Sequence, residues 1–325
     1  MHPAFSVIIF TSLSGAGYGS LAILSALKYF DFFVINPLLG FLSSMIAILM
    51  VTIGLISSTT HLGHPRRAWR ALSQWRSSWL SREGVFAVLT YFPASIFCLS
   101  FLIPGAFDKI INVVCLLTTI FSLGTIYCTA KIYSSLKTIR QWNHQLVMPI
   151  YLIIGLFDGA ILLLVLLAIF DSSQSFHFHY FIISLGTVAG LAKILYWWSI
   201  DNADSKSNTS TATGLGTPQE GVSMLDGPTT SETFIMREMG FVIARKHSRR
   251  LRLIAILTLS IIPISAVYLI AQDPMLISQI ILSLIAIVFS YFGTVIERWL
   301  FFAEAKHVSM PVSYTHLTLP TIYSV

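Results

Sequence analysis

Charge is scarce in this sequence. Only 10% of its 325 residues are charged, against 55% that are hydrophobic. A soluble domain carries roughly a quarter charged residues, so a conventional globular enzyme is excluded. Cysteine is nearly absent too. Cys98, Cys115 and Cys128 lie in apolar runs without a Cys-x-x-Cys spacing, which speaks against a disulfide framework, a zinc site or a cysteine-ligated cluster. They read as buried structural thiols. Histidine is confined: none of the nine lies deep inside an apolar run. Haem held within a membrane bundle needs axial ligands inside the spans, so the expectation is a chain with no haem and no metal of its own.

The apolar residues are gathered into runs long enough to cross a bilayer, about 20 residues each. They fall at about Phe5–Lys28, Pro37–Thr60, Gly84–Ile103, Ile110–Ala130, Val147–Phe170, Phe178–Ile200, Leu253–Ala271 and Met275–Ala303. The first run has no basic n-region and exceeds signal-peptide length, so it reads as a retained helix. Backbone groups in hydrocarbon must be satisfied internally. The fold class that follows is all-α: a polytopic membrane protein with a bundle of eight transmembrane helices over residues 1–310. Residues 311–325 read as an unpacked tail. No repeat at a fixed period is visible, and nothing points to nucleic acid.

The connections differ in length and charge. The odd-to-even links are short, whereas the even-to-odd links are longer and hold 15 cations against two, Lys28 and Lys109, at the opposite face. By the positive-inside rule the basic face, with both termini, is cytoplasmic. Asp201 to Gly227 is rich in Ser, Thr and Gly and reads as a mobile loop; Phe234 to Arg252 regains helical character.

The segment between the second and third runs holds the densest set of chemically versatile side chains: His61-Leu62-Gly63-His64-Pro65-Arg66-Arg67-Ala68-Trp69-Arg70, then Trp75, Trp79 and Ser81-Arg82-Glu83. His61 ends one span and Glu83 begins the next, so both belong to one membrane surface. A proton acceptor of neutral pKa beside a carboxylate suits a hydroquinone, which sheds two protons on oxidation: His61 takes a proton from a ring oxygen and Glu83 relays it to water. The arginines can hold Glu83 ionised. Two other readings stand beside this one. The segment can be a wet interfacial loop, since His and Trp favour that boundary and Arg snorkels there. His61-x-x-His64 with Glu83 can also be read as a metal site, although Pro65 breaks the helix that would align the pair.

Inside the spans, Asp158 and Lys193 stand out, because ionisable groups in a bilayer are functional by default. They can form a buried ion pair or part of a proton path; alternatively Lys193 snorkels while Asp158 stays protonated. Glu297 and Arg298 are neighbours and cannot face each other on a helix, so their partners are expected on other helices.

The motif His61-Leu62-Gly63-His64-Pro65-Arg66-Arg67-Ala68-Trp69, followed by Leu80-Ser81-Arg82-Glu83, resembles the membrane anchor subunit of bacterial dimethyl sulfoxide reductase. Ala130-Lys131-Ile132-Tyr133-Ser134-Ser135-Leu136 with Trp142, and Glu297-Arg298-Trp299-Leu300-Phe301-Phe302, are similar to later parts of that family. The resemblance covers about residues 1–310. It implies a three-subunit molybdoenzyme of anaerobic respiration in the bacterial inner membrane. A molybdopterin subunit reduces the terminal acceptor, a four-cluster iron–sulfur subunit wires it, and the anchor binds and oxidises menaquinol. The family's quinol-linked His and Glu map to His61 and Glu83, and His64, Arg66, Arg67 and Arg70 would bind quinol or dock the partner. The family's catalytic subunit often carries an export signal, which opposes the cytoplasmic assignment of the basic face. Either the reductase is cytoplasmic or the arginines serve docking against the rule. A secondary transporter using Asp158 and Lys193, and a purely structural anchor, are the rival functions.

Overall fold

The computed structural model describes residues 4–32, 34–60, 64–170, 176–202, 242–272 and 275–308. His61, most of the polar loop after Asp201 and the 311–325 tail lie outside them. The described residues form α1 (Phe5–Tyr29), α2 (Pro37–Thr59), a 3₁₀ segment (Pro65–Gln74), α3 (Trp79–Ser100), α4 (Ile111–Ser134), α5 (Val147–Phe170), α6 (Phe176–Asp201), α7 (Val242–Ile256), a π-turn (Leu257–Ile261), α8 (Ile262–Gln272) and α9 (Leu276–Ala303). Eight stretches among them are long and apolar enough to cross a membrane, the seventh running through α7, the π-turn and α8. The all-α, eight-span expectation holds.

Local chemistry sets the ends. Pro37 opens α2 behind Asn36, whose side chain accepts from the Leu38 amide at 2.9 Å, the usual cap arrangement. Ser78 caps α3, so this helix starts five residues before the expected Gly84 and carries Glu83 one turn inside. In the seventh span, Pro263 has no N–H to close the preceding turn. The chain there widens into the π-turn, a familiar response to a helix defect. The turn brings Leu259 backbone against Gly293 of α9, where an added Cβ would lie 2.3 Å from the Leu259 nitrogen.

The packing recurs in two halves. In one, α1 lies on α2 and α4 while α3 lies on α4. In the other, α5 lies on α6 and α9 while α8 lies on α9. The halves join where α1 meets α5, with α4 also on α5 and α9 on α1. This repetition is invisible as a sequence period, because a helix contact asks only for small or apolar residues at a few positions. The α1–α5 contact is the closest: a Cβ on Gly19 would sit 1.9 Å from the Gly155 carbonyl oxygen, and one on Gly159 2.2 Å from the Ser20 nitrogen. α1 and α5 are accordingly the most enclosed spans.

Candidate functional site

Among the described residues, the ionisable groups singled out above lie at the face of the basic loops or between it and mid-span. Glu83 is 5% exposed, and its carboxylate accepts a hydrogen bond from the Thr129 hydroxyl of α4. Thr129 is one of the residues that sequence reasoning missed; its spacing from Thr125 on α4 was the available signal. The 3₁₀ segment folds over this end of α3, where Leu72 fills the space beside Gly84. Arg82 fastens it from below, donating to the carbonyls of Trp75 at 3.0 Å and Arg76 at 2.6 Å while its guanidinium lies 4.2 Å from the Trp79 ring centroid.

His64 stands at the edge of this segment and Arg66, Arg67 and Arg70 belong to it; all four are exposed, as is Trp69. Arg70 lies against Trp69 and Arg76 against Trp75. Among the described residues none of these arginines forms an ion pair with Glu83. The expectation that they hold the carboxylate ionised is therefore corrected: α3 begins early enough to draw Glu83 inward while the loop arginines stay in the polar zone. The metal reading of His61, His64 and Glu83 includes His61, which lies outside the described residues. No group of three or more His, Cys, Asp or Glu gathers to hold a metal ion among the described residues.

Asp158 and Lys193 do not meet. Asp158 of α5 accepts from the hydroxyls of Ser290 and of Thr294, the latter at 2.7 Å, both on α9. Lys193 of α6 stays inside instead of snorkelling; its ammonium donates to Glu297 at 2.5 Å, with both side chains at most 1% exposed. It also faces the Tyr196 and Trp197 rings at 4.2 and 5.0 Å. Glu297 thus finds its partner on another helix, as expected. Its neighbour departs from expectation, because Arg298 bends back to bring Nη1 within 3.2 Å of the Glu297 carboxylate. The same guanidinium covers the Tyr151 ring, 3.4 Å from its centroid. Tyr151 belongs to a ring cluster with Tyr133, Trp142, Phe301 and Phe302, and the Trp142 indole donates to the Phe301 carbonyl at 3.0 Å.

Outside the spans, His144 joins this face to α6. It accepts from the Leu146 amide at Nδ1 and meets the Ser199 hydroxyl at 3.0 Å through Nε2. Burial pushes its pKa down, and nearby Arg140 and Lys193 add to that. The neutral tautomer with the proton on Nε2 fits both contacts.

Eight apolar helices whose buried ionisable groups gather toward one face define a multi-pass membrane subunit. The chain belongs to the DMSO reductase anchor subunit (DmsC) family, whose model matches residues 1–303. A curated relative is a sulfite dehydrogenase subunit of Allochromatium vinosum, 31% identical over 94% of this chain and 97% of that protein. As an anchor subunit of a DMSO reductase family molybdoenzyme, the chain associates with catalytic and electron-transfer subunits.

Proposed function

We propose that this chain oxidises menaquinol at the basic face and passes the electrons to a four-cluster iron–sulfur subunit that feeds a molybdopterin subunit. The observation that carries the reading is Glu83: a carboxylate enclosed one turn below the loop, its described polar partner a single hydroxyl. A carboxylate so placed can take a proton from a lipid-soluble donor without facing bulk water. His61, adjoining the exposed His64 and the arginines, supplies the second acceptor. Two protons leave the hydroquinone as two electrons leave for the partner, and the quinone departs into the bilayer.

A membrane-extracted complex carrying Glu83→Gln tests this. Quinol-driven reduction is expected to fall about 10²-fold or more, the usual weight of one general base, while the three subunits co-purify with molybdenum and iron. Unchanged quinol-driven activity in an assembled complex sinks the proposal and leaves a structural anchor. Purification without molybdenum or iron would favour the transporter.

A second reading comes from the relative named as a sulfite dehydrogenase subunit. A dehydrogenase subunit receives electrons, so the same site would reduce quinone and Glu83 would deliver protons. Assaying both directions in one preparation separates the two.

We also place the basic face in the cytoplasm, on the positive-inside rule. Ser73 is exposed on the 3₁₀ segment and the three native cysteines are buried. A Ser73→Cys chain should therefore react with a membrane-impermeant maleimide only after the cells are permeabilised. Labelling of intact cells would put the loop, and the partner with it, on the outer side.

A further inference from the structure

Where α1, α4, α5 and α9 meet, the bundle holds a small cavity of about 10 Å³, room for one water molecule. One end is Thr129, whose hydroxyl reaches Glu83; the other is Asp158 at mid-bilayer. Ser12, Tyr18 and Arg298 are among the other polar side chains that line it, each at most 2% exposed. The Ser12 hydroxyl and the Arg298 Nε have no hydrogen-bond partner among the described residues. Unmet donors and acceptors in hydrocarbon are costly, by several kcal/mol for each group. A space of this size with two such groups on its wall is one that a single water satisfies.

The charges around it point to a function. Lys193 and Arg298 carry two positive charges against the carboxylates of Glu297 and Asp158. Lys193 and Arg298 both pair with Glu297, and Asp158 is the second carboxylate within electrostatic reach of Arg298. Asp158 is also within electrostatic reach of Glu297 and Tyr291 of α9, and Tyr18 of α1 is within reach of Glu83. The Ser290 and Thr294 hydroxyls stabilise an ionised Asp158, while its apolar surroundings stabilise the protonated form.

We propose that this cavity is a proton-holding compartment with a single water, in which Asp158 accepts and returns protons that arrive from Glu83 through Thr129. A proton leaves the Glu83 carboxyl, the Thr129 hydroxyl and water pass it along by exchanging O–H bonds, and the Asp158 carboxylate receives it. No electron moves in this step. That the protons originate on quinol rests on the proposed function above; the compartment itself does not.

Infrared spectroscopy of the intact complex tests the compartment without turnover. On titration between about pH 5 and 9, the span over which a perturbed carboxyl changes state, a protonated-carboxyl C=O band should grow in toward acid. That band should be missing from Asp158→Asn, and in D₂O it should shift within minutes. Thr129→Val, which keeps the side-chain volume, should slow the shift roughly tenfold. Asp158→Glu should restore a band at a displaced frequency, so loss of the signal in Asp158→Asn cannot be put down to misfolding. No assignable Asp158 band anywhere in that range, a band that resists D₂O for hours, or a rate untouched by Thr129→Val would each overturn the proposal. Glu83→Gln activity is a separate readout. An exchanging Asp158 band beside full quinol-driven activity in Glu83→Gln removes the quinol reading and keeps the compartment; the reverse pattern does the opposite.

Discussion

Glu297→Ala is expected to prevent stable assembly. Glu297 lies between Lys193 and Arg298 with 0% exposure; without it two cations are left in an apolar interior around a single remaining carboxylate, Asp158. Removing one member of a buried ion pair costs about 3–5 kcal/mol, a large part of the marginal stability of a folded chain. The expected result is a marked loss of complex from membranes and a lowered thermal midpoint in detergent. The double variant Lys193→Met, Glu297→Met should recover most of the loss, because it removes one charge of each sign and fills the space with apolar atoms. If Glu297→Ala behaves like the parent chain, the ion cluster is not a structural element.

Gly19→Ala is the other severe change. The new methyl would stand 1.9 Å from the Gly155 carbonyl oxygen. Backbone on both helices would have to move, since no flexible side chain is there to yield. Overpacking of this kind costs typically about 1–3 kcal/mol and more where nothing can relax, and the shift would also reach the cavity that Gly155 lines. Gly15→Ala is the matched control: one turn earlier on α1, an added Cβ meets nothing within 4 Å. The first variant should lose both yield and thermal stability, the second neither. Equal behaviour of the two would show that the α1–α5 approach is looser than described.

These two sites show which parts of the molecule the amino-acid string makes legible. Run length alone placed eight spans to within a few residues, because the bilayer imposes a minimum length on every one of them. Depth was harder to read. Glu83 looks like a surface residue until Ser78 is recognised as the cap that starts α3 early. Pairing was not legible at all. Glu297 is 104 positions from Lys193, and nothing near either residue tells which helices will be neighbours. The hydroxyls that serve Asp158 were hidden for another reason: Ser and Thr also bond back to their own helix, as Thr125 does to Phe121, so their presence in a span carries little information. Gly15 and Gly19 look alike in the sequence, yet only at Gly19 would an added Cβ run into the opposing helix.

The enclosure of α1 has a consequence for how the protein is made. Its partner α5 begins at Val147, so the ribosome must add the whole stretch from Tyr29 onward before that surface exists. At about 5–20 residues per second the wait is roughly ten seconds. Meanwhile Gly19, Tyr18 and the buried serines of α1 have only lipid, the translocon and then α2 and α4 for company. A helix this rich in small and hydroxyl side chains is poorly suited to linger among acyl chains. Biogenesis therefore has a vulnerable interval, closed when the fifth span arrives, and substitutions that make α1 more comfortable in lipid would speed its insertion while spoiling its final seat.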